Sequence, residues 1–150
     1  MLSALSVPRH PDVRLRELIR EYGQLLSMTN AQARGQQFNK FLADLFAVWG
    51  VEARPNQKGL GGRDETDVVL AIDNKFYVLE AKWESGKIDI EPVSKLETRL
   101  KVRPQGTGGI LVSMSGFTQH VHDYNEYQPE IMLLDKSHVE AMLAGLIGAK

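Results

Sequence analysis

Residues 66–83 read TDVVLAIDNKFYVLEAKW, and eleven of these eighteen are apolar. A run like this suits burial, yet Asp67, Glu80 and Lys82 stand near its two ends. Asp73-Asn74 in the middle suits a two-residue hairpin turn with left-handed central residues. With that turn, Ile72 faces Lys75, Ala71 faces Phe76, Val69 faces Val78 and Asp67 faces Glu80. Directly opposed side chains sit roughly 4.5–5.5 Å apart at Cβ and share a face. Lys82, two positions past Glu80, shares that face as well. The three charges therefore meet at the open end of the hairpin, whereas a three-residue loop would shift the register and give Asp67 another neighbour.

Two carboxylates this close repel unless a cation intervenes. Lys82 supplies part of that charge, and a hard divalent ion such as magnesium or manganese would supply more. A metal on two carboxylates with an ammonium beside it suits phosphodiester hydrolysis, through activation of water and neutralisation of phosphoryl charge. Spacing alone fits equally well a structural Glu80–Lys82 ion pair at a strand end, with Asp67 solvated.

Outward from the hairpin, both of its faces are mostly apolar, as expected of inner strands covered on two sides. Residues 12–27 form a plausible helix with a broad apolar face of Val13, Leu15, Leu18, Ile19, Tyr22, Leu25 and Leu26. Asn30 suits the cap of a second helix to about Trp49, whose stripe is Phe38, Phe41, Leu42, Leu45, Phe46 and Trp49. Gly50 ends it, and Val51–Arg54 reads as a short strand. Pro92 suits the first turn of a third helix carrying Val93, Leu96 and Leu100, and Pro104 stops it. GGILVSMS and IMLLD read as strands, with a weak helix over 118–127 between them. Ser137 with Glu140 predicts a capping box for a last helix with Val139, Met142, Leu143, Leu146 and Ile147 as its stripe, closed by Gly148. The order predicts a three-layer α/β domain around a mixed sheet.

The 150 residues are read as one domain, with the first eleven loosely held and the core over about 31–135. There is no cysteine, which excludes a disulfide framework, a thiolate zinc site and a cysteine nucleophile. No apolar run is long enough for a membrane span, and the start lacks the pattern of a secretion signal, so a cytoplasmic protein is the default. A net charge of −1 gives no overall basic footprint, so nucleic-acid contact would depend on local cations. Candidates are Lys95, Arg99 and Arg103 at i, i+4, i+8 on the third helix, and Lys58 and Arg63 in the loop KGLGGR. Each set also reads as ordinary surface. The loop lacks the GK[ST] ending of a nucleotide-binding P-loop, so no nucleotide cofactor is implied. His120 and His122 point to different faces of a helix, and none of the four histidines is given a role.

Asp67, twelve residues, then Glu80-Ala81-Lys82 resembles the D…ExK signature of the PD-(D/E)XK nucleases, the restriction-endonuclease-like superfamily. More narrowly it is similar to the Mrr-type restriction endonuclease domain, with ARGQQFNKFLADLF before the core strands and RPQGTGGILVSMSGFT after them. The likeness covers roughly residues 33–120. It implies an αβββαβ core, DNA as partner and Mg2+ (or Mn2+) as cofactor. By position it implies Asp67 and Glu80 as metal ligands, the Ala81 carbonyl as a further ligand and Lys82 as the residue that positions water. Asn39 stands where family members often carry Glu; it can hydrogen-bond a metal-bound water but brings no charge, which leaves one or two metals open. Cutting both strands would most simply require a homodimer. Two rivals remain at this stage, a nuclease-fold module that binds DNA without turnover and a purely structural or protein-interaction domain.

Overall fold

The computed structural model describes residues 11–55, 68–127 and 130–145. Asp67, Lys58, Arg63 and the N-terminal ten residues lie outside them. Helices α1 (Pro11–Ser27) and α2 (Ala31–Val48) lead into β1 (Glu52–Pro55), β2 (Val68–Ile72) and β3 (Lys75–Lys82). Then follow α3 (Ile90–Lys101), β4 (Gly108–Ser113), α4 (Gln119–Tyr127), β5 (Ile131–Asp135) and α5 (Lys136–Leu143). The order of helices and strands is the one expected from the sequence.

The hairpin sets the sheet. Asp73 and Asn74 have φ of 50° and 66°, the left-handed pair required by a two-residue turn that matches strand twist. The register follows as expected, Ile72 opposite Lys75 through Val68 opposite Leu79. β1 adds antiparallel to β2, while β4 and β5 add parallel on the other side of β3, in the order β1-β2-β3-β4-β5. The parallel half needs crossovers, and α3 and α4 supply them. This is the three-layer restriction-endonuclease-like fold with a mixed central sheet and an αβββαβ core running from α2 to β4.

Alternation along the strands divides the core in two. Leu70, Leu79, Ile110 and Val112 face α1, α2 and α5, where they meet Leu18, Phe38, Leu42, Leu45 and Val139. Val78, Leu111 and Ile131 face α3 and α4, where they meet Val93, Leu96 and Val121. In α2 the Asn30 side chain accepts from the Ala33 amide at 2.9 Å and caps the helix as its sequence predicts. No helix among the described residues is long and apolar enough to cross a membrane.

Two expectations are corrected. The apolar face of α1 is narrower than its composition suggests. Leu18, Tyr22 and Leu25 are buried, while Val13, Ile19 and Leu26 are exposed, because only an i, i+4, i+7 stripe reaches α2. The last helix is capped by Asp135, not Ser137. Asp135 accepts from the Ser137 amide at 2.9 Å, and His138 Nδ1 accepts from the Asp135 amide at 3.0 Å, so the box is closed by a histidine. β5 runs into α5 without a loop, which brings the cap forward. Glu140 instead accepts from the Tyr22 hydroxyl at 2.7 Å, tying α5 to α1. Burial first, and that bond second, raise the Tyr22 phenol above its ordinary value. The helix ends before Gly145, whose φ of +77° turns the chain. Leu146, Ile147 and Gly148 lie outside the described residues.

The hydrogen bond from the Ser137 hydroxyl holds the Asp135 carboxyl below the usual carboxylate range, with smaller help from backbone amides and His138. Asp135→Ala should therefore lower stability by about 1 kcal/mol at neutral pH. A depressed folded value means that this contribution is present above the usual carboxylate pKa of about 3.9 and is lost as pH falls through the lower folded one. Urea melts of both chains should converge in acid, and a gap independent of pH would contradict this account of the cap.

Candidate active site

β3 runs on past Val68, the first described residue of β2, and its last three residues are the candidate site residues Glu80, Ala81 and Lys82. Glu80 and Lys82 project toward α3, on the same face as the buried Val78. From α3, Arg99 Nη1 donates to Glu80 Oε1 at 2.6 Å. Lys82 Nζ lies 3.4 Å from Glu80 Oε2. The Glu80 side chain keeps only 18% of its exposure, against 31% for Lys82 and 37% for Arg99. Screening by water is thus reduced at the carboxylate, where a charge-assisted hydrogen bond is roughly twice as strong as a neutral one.

Close helix packing delivers Arg99. Gly109 of β4 has no side chain, and a Cβ there would lie 3.2–3.3 Å from Leu96, Leu100 and Ile131. Val93 and Leu96 are buried about two turns and about one turn before the end of α3, and Arg99 follows Leu96 by three residues on the flank toward Glu80. The segment after Lys82 is also tied down. Met114 N donates to the Lys82 carbonyl at 3.1 Å, and Ile88 exchanges backbone hydrogen bonds with Gly116 and Thr118.

Between α2 and the end of β3 lies a cleft of about 290 Å³ bordered by Gln32, Gln36 and Asn39 of α2 and by Glu80, Ala81 and Lys82 of β3. Asn39, singled out from the sequence, therefore shares a cavity with the ExK residues. Gln32 and Gln36 were not anticipated, although with Asn39 they make an i, i+4, i+7 polar row beside the apolar stripe of α2, which is a readable signal. The Lys82 carbonyl points to β4, so that of Ala81, one residue back, points to the β2 side. Val68, the first described residue of β2, lies on that side.

The donors around this strand end are all oxygen, from one carboxylate, a backbone carbonyl and side-chain amides. Such a set fits a hard ion such as Mg2+, which keeps several waters and takes one or two carboxylates, better than zinc. No group of three or more His, Asp or Glu converges among the described residues. A second carboxylate would come from Asp67, outside them.

The other expected residues fall elsewhere. Lys95 is exposed on α3 with a loose 3.7 Å contact to Glu91. Trp83, the residue after Lys82, is packed beneath the site, edge-on to Phe38 at 4.9 Å between centroids. Arg34 lies over the Trp83 ring at 4.7 Å and donates to its carbonyl at 3.2 Å, which clamps the strand end to α2. Nothing in the sequence pairs those two residues. His120 and His122 are apart, the first 3.5 Å from Asp89 and the second edge-on to Phe117.

A family model described as restriction endonuclease, Mrr_cat, matches residues 31–143, a span from the start of α2 to the end of α5. The chain belongs to the Mrr-type restriction endonuclease family. Solved structures similar to this Mrr-type domain include a protein of unknown function, AF1548, at 21% identity and a TM-score of 0.63 over 73% of this chain and 65% of that one. Protein VC1899 from Vibrio cholerae matches at 18% identity and a TM-score of 0.57 over 79% of this chain and 36% of its own. The restriction endonuclease MspJI, solved with a 27-mer oligonucleotide, is similar at 14% identity and a TM-score of 0.49, over 97% of this chain and 33% of that one. The Mrr-type chain thus spans under two thirds of the length of each. No curated protein matches.

Since Gly109 sets the distance between α3 and the sheet, Gly109→Val should push the helix outward. We expect a loss of about 1–3 kcal/mol in a denaturant titration, the usual range for an overpacked core. An unchanged midpoint would mean that α3 is not held against the sheet here.

Proposed function

We propose that this Mrr-type domain is a metal-dependent DNA endonuclease that hydrolyses phosphodiester bonds. The observation that carries the reading is the meeting of Glu80, the Ala81 carbonyl and Lys82 at one strand end beside Asn39. Glu80 and Ala81, with Asp67, would hold Mg2+ (or Mn2+). When bound, such an ion activates water for attack and offsets charge on the phosphoryl group. Lys82, whose ammonium lies beside Glu80 with three donors, can orient a water for in-line attack and accept the developing charge of a phosphate oxygen. Its position is set by the strand and by the Trp83 clamp that follows it, so little reorganisation is needed. Lys58, Arg63, Lys95 and Arg99 are proposed to contact the DNA backbone, which fixes register without reading sequence. With one such site per chain, a homodimer would cut both strands.

A second reading has its own support. Asn39 brings no negative charge to the cleft, and Glu80 is already bound to Arg99. Both features favour a module that binds DNA with weak or no turnover.

Plasmid DNA incubated with Mg2+, Mn2+ or EDTA distinguishes the two. Cleavage should require the metal and fall about 100-fold or more in Lys82→Ala, with binding retained. It should also be lost in Asp67→Ala. Salt-sensitive binding without cleavage by the wild-type chain would favour the second reading, and cleavage unaffected by EDTA would overturn the first.

A further inference from the structure

We propose that Arg99 is a positioning residue that stands in for the divalent cation, holding Glu80 in the metal-free chain and giving it up when the ion binds. The inference rests on the metal-dependent reading of the site. It adds to that reading a residue of α3 and a competition between an internal and an external cation.

The geometry carries it. Arg99 Nη1 to Glu80 Oε1 is 2.6 Å, at the short end for a charge-assisted bond, so this oxygen is directed at the guanidinium. Lys82 at 3.4 Å leaves the second oxygen more loosely engaged. An arginine cannot lose its charge near neutral pH, so protons do not release the carboxylate; a stronger cation can. A divalent ion and the Arg99 guanidinium carry like charge, so the two repel when both are held against the Glu80 carboxylate.

Arg99 has somewhere to go. Its side chain is 37% exposed on the last turns of α3, and outward rotation aligns it with Lys95, one turn earlier and 73% exposed. With Arg99 turned onto Glu80 the basic row expected from the sequence is incomplete, and release of Arg99 extends it. A structural ion pair makes the opposite prediction, because its removal loosens the site and weakens every ligand.

The test is Mn2+ affinity of the full chain without DNA, by titration calorimetry, for wild type, Arg99→Met, Arg99→Lys and Glu80→Gln. Loss of the internal competitor should tighten Mn2+ binding about tenfold in Arg99→Met, taking the competing bond as one hydrogen bond to a charged group. Arg99→Lys should stay near wild type, because the charge is kept. Arg99→Gln predicts the same tightening and replaces Arg99→Met where that chain does not fold cooperatively. Equal or weaker Mn2+ binding in a folded uncharged variant overturns the stand-in role and leaves the nuclease reading intact. Mn2+ binding that Glu80→Gln does not reduce, in any of the chains, overturns both.

Discussion

The left-handed backbone at Asp73 and Asn74 decides where every later side chain of the hairpin points. With two residues in the turn, Leu79 goes to the α2 side and Glu80 and Lys82 to the α3 side. A slip of one residue would send Glu80 and Lys82 toward the apolar layer of Phe38 and Leu42 and away from Arg99, and the burial of unpaired charge is costly. The turn and the packing therefore agree on one register. Arg99 meets Glu80, Asn39 shares its cleft, and the Ala81 carbonyl aims toward β2 only because that register holds.

What was legible in the sequence follows from periodicity. The stripe of α2, the hairpin pairing and the apolar strand β4 are local patterns, and the structure has each of them at the expected place. The cluster of Glu80 and Lys82 was legible for the same reason, as two positions two apart on a strand of known register. What was missed is non-local. Arg99 and Glu80 are 19 residues apart, Arg34 and Trp83 are 49 apart, and Tyr22 and Glu140 are 118 apart. No spacing rule links such pairs. The cap of α5 was misread because Asp135 and Ser137 are both good cap residues. A Ser-x-x-Glu pattern looked complete while Glu140 was already bound to Tyr22.

The electrostatics of the site are compatible with the proposal that a chain of net charge −1 takes DNA as its partner. Cations near the cleft are placed one at a time against protein groups, Arg99 and Lys82 on Glu80 and Arg34 on the ring and carbonyl of Trp83. Their roles differ with burial. Arg34 is a clamp whose loss would free the strand end, while Arg99 and Lys82 keep enough exposure to exchange a protein partner for a phosphate. A local arrangement of this kind needs no broad basic surface, because a few well-placed charges decide how a backbone is held.

The central claim is that a divalent ion and Arg99 compete for one carboxylate at the end of β3. A crystal of the chain soaked in Mn2+, measured at the manganese absorption edge, tests it most directly. The account predicts an anomalous peak at about 2.0–2.2 Å from a Glu80 oxygen, with the Arg99 guanidinium turned away toward Lys95. A chain that binds Mn2+ elsewhere, or that takes it up with the 2.6 Å Arg99–Glu80 bond intact, would contradict the claim.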